Sequence, residues 1–233
     1  MASRPIYIPN YEGDLYVQTY LVEFDWNPGL AISQKQKNVS SLHLEAISKK
    51  LCKQPIEVSS KSFTSLGVEL SAFNLSTKTK KSTNYFTVET AFQSSKVFKD
   101  GGPYKDLLFK TSIEAKKDIR LKNSGPLLYF DFFGEHWPLE PKTLFYDWIY
   151  LNTLHKNPNL IDGLYTYDAF TDIEFNPKKS INCQAYSVAL YTSLSKRGVL
   201  DEALSGKTYF EEVMRKALIS NSHEDTKIQP RLF

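Results

Sequence analysis

Apolar residues recur at several spacings along the chain, and each spacing predicts a type of secondary structure. Residues 15–26 (LYVQTYLVEFDW) alternate in part between apolar and polar positions and end at an Asn-Pro-Gly turn, which predicts a strand. Nearly helical spacing predicts a helix over residues 40–51, and residues 55–60 (PIEVSS) are typical of a short extended segment. Residues 1–65 are therefore predicted to form an α+β lead-in.

The rest of the chain alternates between extended and helical patterns. Residues 66–75 (LGVELSAFNL) favour a second extended segment, and a polar loop that contains three lysines follows over residues 76–84. Amphipathic patterns then predict helices over residues 86–98 and 141–154, and a last helix over residues 183–197.

The predicted helix over residues 86–98 (FTVETAFQSSKVF) has two stripes. Thr87 is a suitable N-cap. An apolar stripe follows it, made of Val88, Ala91, Phe92 and Ser95. Glu89, Gln93 and Lys96 are spaced at i, i+4 and i+7, so they point the same way over about 10 Å. This polar stripe is either a solvated face, with Glu89 stabilising the positive end of the helix dipole, or the wall of a pocket shared by an acid and an amine.

Composition narrows the class of protein. With 233 residues, of which 41% are hydrophobic, the chain is long enough for one domain with its own core. Because it has no apolar run of about 18 residues and no signal-peptide pattern, we expect a cytosolic protein that does not enter a membrane. Two cysteines and four histidines without ligand spacing predict neither a disulfide framework nor a metal site. The net charge of +3 permits a nucleic-acid partner without requiring one.

Several segments, taken in order, resemble the NADAR family. Residues 70–75 (LSAFNL) and the helix over 86–98 are similar to the family's LSNF-like segment and its TVEHAYQAAKF-like helix. Residues 113–120 (IEAKKDIR) look like its EA…R helix, residues 145–160 like its helix ending in NP-x-L, and residues 167–170 (YDAF) like its YD-x-Y motif. The stretch SINCQAYSVAL resembles its closing helix.

The resemblance covers residues 66–197 and implies a fold. That fold is a single NADAR domain of the α+β class, predominantly helical, with an N-terminal α/β elaboration. We therefore expect an elaboration over residues 1–65, a catalytic domain over residues 66–220, and a polar tail over residues 221–233 that frays. The sequence does not predict an oligomeric state.

Three features resemble the branch of the family that accompanies DarT-type DNA ADP-ribosyltransferase toxins. They are the long N-terminal segment, the insertion GGPYKDL and the stretch DAFTDIEFNPKKSINCQA. In that branch the NADAR protein is the antitoxin, which implies a toxin–antitoxin system of phage defence and hydrolytic removal of ADP-ribose from guanine in DNA. The wider family includes N-glycosidases that act on a ribosylated pyrimidine phosphate of the riboflavin pathway, and this activity is the second alternative. A module that binds ADP-ribose without catalysis is the third alternative.

The sequence also departs from the family pattern, so we expect details of substrate recognition to differ. Thr90 follows Glu89 where the family usually has His, and Phe86 stands where it has Trp. Thr171 and Asp172 replace a Trp-Gly pair.

The polar stripe suits the family's chemistry, since both reactions break a carbon–nitrogen bond at an anomeric carbon. Such a cleavage needs an acid to protonate the leaving group and a nucleophile to attack the carbon. We assign Glu89 as the acid/base. Lys96 would be the nucleophile, because apolar walls lower the pKa of an amine and a free amine forms a Schiff base with an opened ribose. Asp168, in the YDAF motif, would steer a ribose hydroxyl or a water, or would cap a loop.

Seven residues are candidates for binding ADP-ribose or another substrate: Ser71, Asn74, Phe86, Gln93, Arg120, Trp137 and Asn182. The resemblance alone selects Ser71 and Asn74. Gln93 would orient a hydroxyl or be a surface residue, and Phe86 and Trp137 would stack on a base or belong to the core. Arg120 would bind pyrophosphate or lie on the solvated face of KKDIRLK, while Asn182 would contact ribose or phosphate or cap a helix.

Two lysine clusters are candidates for contact with DNA. The first is the loop with Lys78, Lys80 and Lys81, and the second is the pair Lys178 and Lys179. Such lysines bind the phosphate backbone without reading sequence, so recognition would rest on the modified guanine. The expected partners are ADP-ribosylated DNA and a DarT-type toxin, with no metal and no cofactor.

Overall fold

The computed structural model of the protein describes residues 1–79 and 84–216. Strands and helices alternate over these residues. In chain order they are β1 (Ala2–Pro9), β2 (Val17–Phe24), α1 (Ile32–Ser48), β3 (Pro55–Glu57), α2 (Ser65–Glu69), β4 (Ser76–Lys78), β5 (Tyr85–Thr87), α3 (Val88–Ser94), β6 (Lys96–Phe98), a 3₁₀ segment (Lys105–Phe109), α4 (Ser112–Lys117), α5 (Arg120–Asn123), β7 (Leu127–Phe132), β8 (Glu135–Trp137), α6 (Leu144–His155), α7 (Pro158–Leu164), β9 (Ala169–Thr171), α8 (Gln184–Lys196), α9 (Leu200–Leu204) and α10 (Lys207–Lys216).

The described chain is mixed α/β, with 43% of it helical and 19% in strands. Helix is the larger part, but strands are too frequent for the predominantly helical fold that the family resemblance implied. Most of these strands are three residues long, and such short strands give too few residues for an alternating pattern to be visible in the sequence.

Most elements predicted from periodicity are confirmed. The strand over 15–26 is β2, the helices over 141–154 and 183–197 are α6 and α8, and the helix over 40–51 is the second half of α1. The extended segment over 66–75 is wrong. There the side chain of Thr64 accepts a hydrogen bond from the Gly67 N–H and starts α2, and a turn follows in which the Ser71 carbonyl accepts from the Asn74 and Leu75 N–H groups.

The chain divides into two compact units. The first consists of the described parts of Met1–Leu70 and Asn159–Phe233. Its sheet has the strand order β2-β1-β9-β3, with β1 antiparallel to both of its neighbours and β3 parallel to β9. One face of this sheet packs on α1 through a cluster that includes Ile6, Val22, Phe24, Val39 and Leu42.

The sheet of the first unit joins both ends of the chain. Because β1 and β3 each pair with β9, residues 1–65 belong to the same compact unit as the described residues from Asn159 onward. The predicted division at residue 65, with catalysis assigned to residues 66–220, stays a prediction. Its tail, residues 221–233, lies outside the described residues.

The second unit, Ser71–Pro158, carries the predicted polar stripe. It contains the antiparallel sheet β6-β7-β8 and the short hairpin β4-β5. Rings from α3, β7, β8 and α6 form its core, which contains Phe92, Phe130, Trp137, Phe145 and Trp148. Aromatic residues bury a large area each, so a short segment of about 90 residues still gains a substantial core.

Candidate active site

Helix α3 begins where the sequence predicts it. The hydroxyl of Thr87 accepts a hydrogen bond from the Thr90 N–H (3.1 Å), and the hydroxyl of Thr90 accepts from the Thr87 N–H (3.0 Å). This reciprocal capping box satisfies two N–H groups that have no partner inside a helix. Val88 and Ala91 are fully buried, so the capped helix is also held by its apolar face. The first turn consequently places Glu89 at the edge of the core.

The single helix predicted over residues 86–98 is wrong beyond Ser94. The hydroxyls of Ser94 and Ser95 both donate to the Ala91 carbonyl, at 3.1 and 2.7 Å, and compete with the helical backbone. The chain then enters β6, in which Lys96 pairs with Phe130 of β7. Lys96 is therefore the first residue of a strand that follows the helix.

Glu89 and Gln93 are buried, with 6% and 7% of their surface exposed, which contradicts the solvated-face interpretation for these two side chains. The Gln93 side-chain N–H donates to Glu89 Oε1 at 2.9 Å, and the Lys116 ammonium lies 3.9 Å from the same oxygen. Gln93 Oε1 is itself buried, and no described residue donates a hydrogen bond to it. A buried acceptor of this kind is suited to orienting a hydroxyl of a bound molecule.

Lys96 has the electrostatic environment that a nucleophilic amine needs. Its ammonium lies 4.7 Å from the centre of the Phe92 ring. The pKa of Lys96 is lowered to about 8, chiefly by burial; the carboxylate of Glu89 raises it and the charge of Lys116 lowers it. An amine with this pKa is partly deprotonated near neutral pH, whereas an ordinary lysine is almost wholly charged.

Aromatic rings supply the apolar surroundings of Lys96. Phe92 packs on Phe130 with ring centres 5.2 Å apart, and its edge meets Tyr146 at 5.3 Å. Phe130 packs in turn on Phe145 at 4.7 Å. The pKa of Lys96 is lowered because these rings replace water beside the amine.

Lys116 is a member of the site that sequence reasoning missed. It lies on α4, which begins with a second capping box, between Thr111 and Glu114. Besides its approach to Glu89, its ammonium lies 4.8 Å from the centre of the Phe73 ring. The capping box was visible in the sequence as Thr-x-x-Glu, but the packing of α4 against α3 was not, since it depends on tertiary structure.

A family model described as the DarT1-associated NADAR antitoxin matches residues 2–224. The chain belongs to this family. The match includes residues 2–65, which lie outside the core family motifs seen in the sequence, and NADAR proteins are generally N-glycosidases. A search of curated proteins gives no match.

The LSNF-like segment of this NADAR chain lies against the start of α3. The Ala72 carbonyl accepts a hydrogen bond from the Glu89 N–H, and the Leu75 carbonyl accepts one from the Val88 N–H. Ser71 is buried and its hydroxyl accepts from the Phe73 N–H at 3.4 Å, while Asn74 is exposed. The turn that carries Ser71 and Asn74 is thus anchored beside Glu89, and their contact with substrate stays a prediction.

Three other candidates in the second unit have structural partners. Phe86 is buried and packs on Phe132 and Phe133, and Trp137 is buried between Phe145 and Trp148, so both are core residues. The guanidinium of Arg120 binds two carboxylates. It donates to Asp118 at 2.8 and 2.9 Å and to Asp106 at 2.7 and 3.2 Å. These bonds use four of its five N–H donors, so neither two-donor edge of the Arg120 guanidinium is open to a pyrophosphate.

Asp168 and Asn182 belong to the first unit. Both carboxylate oxygens of Asp168 accept backbone hydrogen bonds, from the N–H groups of Lys53 (2.8 Å) and Gln54 (2.9 Å), as the loop-cap alternative requires. Asn182 does not cap α8, because Cys183 occupies the cap position. Its Oδ1 is buried and accepts no hydrogen bond from the described residues, which suits a ribose hydroxyl as donor, while contact with a phosphate stays a prediction.

The predicted DNA-binding lysines are exposed wherever the structure describes them. Lys78 ends β4, and its ammonium lies 5.7 Å from the centre of the Tyr85 ring across the hairpin. Lys178 and Lys179 are exposed in the first unit. Lys80 and Lys81 lie outside the described residues.

Over residues 1–79 and 84–216, no group of three or more His, Cys, Asp and Glu side chains is arranged to hold a metal ion. None of the helices in this part of the chain is long and apolar enough to cross a membrane.

Proposed function

We propose that this NADAR protein hydrolyses the bond between ADP-ribose and guanine in DNA, and that it thereby acts as the antitoxin to a DarT1 toxin. The observation that carries the proposal is the pair of Glu89, a buried carboxyl, and Lys96, an amine whose pKa is lowered to about 8. The family supports the proposal, since its description links it to DarT1 and NADAR proteins are generally N-glycosidases, while ADP-ribosylated DNA as the substrate is part of the proposal.

The proposed reaction uses Lys96 as a nucleophile. The ribose ring opens as the bond between its anomeric carbon and ring oxygen breaks and the free amine of Lys96 forms a bond to the anomeric carbon; the proton that the attacking nitrogen loses passes to the ring oxygen, which becomes a hydroxyl. Glu89 then gives a proton to the departing guanine nitrogen, and the carbon–nitrogen bond to guanine breaks. A Schiff base between Lys96 and ADP-ribose remains. Water adds to it, Glu89 takes back a proton, and the products are free ADP-ribose, unmodified guanine and the original amine.

Neighbouring residues hold this pair in place. Gln93 donates one hydrogen bond to Glu89 and keeps its buried oxygen open for a ribose hydroxyl. The Lys116 ammonium lies 3.9 Å from Glu89 Oε1, and its charge favours the neutral form of Lys96. We further propose that Ser71 and Asn74 contact substrate beside Glu89.

The proposal is tested by turnover of three compounds. These are a single-stranded oligonucleotide that carries ADP-ribosylguanine, the corresponding ADP-ribosylated guanosine nucleotide, and a ribosylated pyrimidine phosphate. We expect release of free ADP-ribose and unmodified guanine from the first, with the highest kcat/KM. Turnover of the pyrimidine alone would assign the protein to the other reaction of the family, and binding of ADP-ribose without release would make it a non-catalytic module.

The pH dependence of kcat/KM follows from the lowered pKa of Lys96. Because only the neutral amine attacks, activity should rise as the pH rises through about 8 and should level off above it. Replacing Lys116 by Gln removes a positive charge that lowers the pKa of Lys96, so the rise should move to higher pH. A pH–rate profile of both proteins on the modified oligonucleotide measures this shift.

Lys117 provides the matched control for this measurement. It is the next residue on α4, is exposed, and loses the same charge in Lys117→Gln. Its profile should coincide with that of the unaltered protein. If Lys116→Gln leaves the rise where it was, the charge of Lys116 does not act on the group that limits the rate.

Activity on modified DNA should weaken as salt rises, because each lysine–phosphate contact releases counterions. The variant in which Lys78, Lys80 and Lys81 are all Ala should lower the slope of log kcat/KM against log salt by about 2 units, at about 0.7 per contact on a single strand. A variant with Lys49, Lys53 and Lys122 changed to Ala loses the same charge elsewhere and should keep the original slope. An unchanged slope in the first variant would mean that DNA does not run along the β4-β5 hairpin.

A further inference from the structure

The hairpin that joins β7 to β8 ends in an aromatic side chain that faces solvent. Phe133 is 62% exposed and lies at the turn, between Phe132 and Gly134. Its φ angle of 54° places it in the left-handed region, where Asn, Asp and Gly are the usual residues. Neither local conformation nor burial therefore accounts for a phenylalanine at this position.

The ring of Phe133 packs against two other aromatic rings of the same unit. It meets the ring of Phe132 at 4.6 Å and the ring of Phe86 at 6.3 Å. The turn itself is closed by a hydrogen bond of 2.8 Å from the Gly134 N–H to a carboxylate oxygen of Asp131. One part of the ring rests on the core of the unit while the rest is presented to solvent, so little conformational entropy would be lost when a ligand stacks on it.

This tip lies close to the proposed active site along the same strand. Lys96 pairs with Phe130, and Phe133 follows three residues later, a distance of about 10 Å at the rise of a strand. On the other side, Phe86 is the chain neighbour of Tyr85, which is 64% exposed and carries the Lys78 ammonium over its ring. Two exposed aromatic rings, Tyr85 and Phe133, and the exposed ammonium of Lys78 thus lie in the same unit as Glu89 and Lys96.

We propose that Phe133 is a stacking platform for an unpaired base of single-stranded DNA beside the modified guanine, with Lys78 and Tyr85 binding the next part of the strand. The inference rests on the proposed function and extends it from the modified nucleotide to its neighbours. Aromatic rings interleaved with cations are the means by which proteins hold single strands without reading sequence. For a base to stack on Phe133, one face of the base must be accessible. Bases inside a duplex have both faces covered by their neighbours, so we propose a single strand as the occupant.

The test compares long and short substrates. Phe133→Ala should raise KM for an ADP-ribosylated single-stranded oligonucleotide about five- to a hundredfold, with kcat unchanged, because one base loses its stacking partner. KM for the ADP-ribosylated guanosine nucleotide, which has no neighbouring base, should not change. Phe133→Trp keeps a stacking surface and should behave like the unaltered protein.

Phe63 supplies the matched control, because it is a phenylalanine in the first unit with almost the same exposure, 61%. Phe63→Ala should leave both substrates unaffected. Binding of an unmodified, fluorescently labelled single-stranded oligonucleotide, followed by anisotropy, is measured in parallel and should weaken in Phe133→Ala alone.

The outcomes separate the inference from the proposed function. If the unaltered protein turns over neither substrate, the proposed function fails, and anisotropy still decides whether Phe133 binds DNA. If Phe133→Ala binds and cleaves the oligonucleotide as the unaltered protein does, the platform is refuted. An equal loss on the oligonucleotide and on the nucleotide would also refute it, because Phe133 would then only support the fold.

Discussion

Replacing Lys96 by Met should lower turnover of ADP-ribosylated DNA by about a thousandfold or more, because the nucleophile is lost. Lys96→Arg should lose as much. A guanidinium stays protonated and cannot attack the ribose, although it keeps the positive charge. The comparison of the two variants therefore distinguishes covalent catalysis from electrostatic support. The measurement is release of ADP-ribose from a modified oligonucleotide under single-turnover conditions.

Lys99 is the control, since it is exposed and follows directly after β6. Lys99→Met should retain the activity of the unaltered protein. If Lys96→Arg stays active while Lys96→Met does not, Lys96 acts through its charge and water attacks the anomeric carbon directly. If both variants stay active, Lys96 has no part in the reaction.

Glu89→Gln should lower turnover about a hundredfold or more, because an amide cannot pass a proton to the departing guanine. The substitution keeps the size of the side chain and its helical propensity, and its carbonyl oxygen still accepts the hydrogen bond from Gln93. We therefore expect the variant to fold normally, which circular dichroism and a thermal melt would check. Single-turnover rates on the modified oligonucleotide give the size of the loss.

Glu135 offers a matched change in the same unit. It is exposed on β8, and Glu135→Gln removes the same charge away from α3. This variant should be as active as the unaltered protein. Near-normal turnover in Glu89→Gln would remove Glu89 from the mechanism, whatever the result for Lys96.

Long elements with a clear period could be predicted from the sequence. Helices α6 and α8 carry apolar residues through several turns, and Thr87 identifies the start of α3 by its capping chemistry. The proximity of Glu89 and Gln93 followed from i, i+4 spacing alone and is confirmed by their hydrogen bond.

The end of α3 could not be predicted, because it depends on a distant part of the chain. The spacing of Lys96 continues the helical stripe, and the adjacent Ser94 and Ser95 are only a weak local signal against it. The strand that starts at Lys96 exists because β7 pairs with it, beginning at Phe130. Lys96 still interacts with Glu89, so the prediction that these two groups share an environment is supported although the helix that suggested it is shorter.

Hydrogen-bond and ion-pair partners within the protein determine which candidate site residues are available to a substrate. Arg120 matched a phosphate ligand by residue type, yet Asp106 and Asp118 occupy its guanidinium. Asp168 matched a family motif, yet two backbone N–H groups occupy its carboxylate. Lys116 is the opposite case, because it matched no functional pattern in the sequence and yet lies beside Glu89. Its sequence surroundings are those of a solvated helix, and only the packing of α4 brings its ammonium to Glu89.

Borohydride trapping during turnover is the most direct test of the account. If Lys96 forms a Schiff base with the ribose, reduction should leave ADP-ribose attached to the protein, and peptide mass spectrometry should find it on Lys96 and not on Lys99. The adduct should form from ADP-ribosylated DNA and should be absent in Lys96→Arg. Normal turnover of the modified DNA with no adduct under borohydride, combined with full activity of Lys96→Arg, would contradict the proposed covalent mechanism.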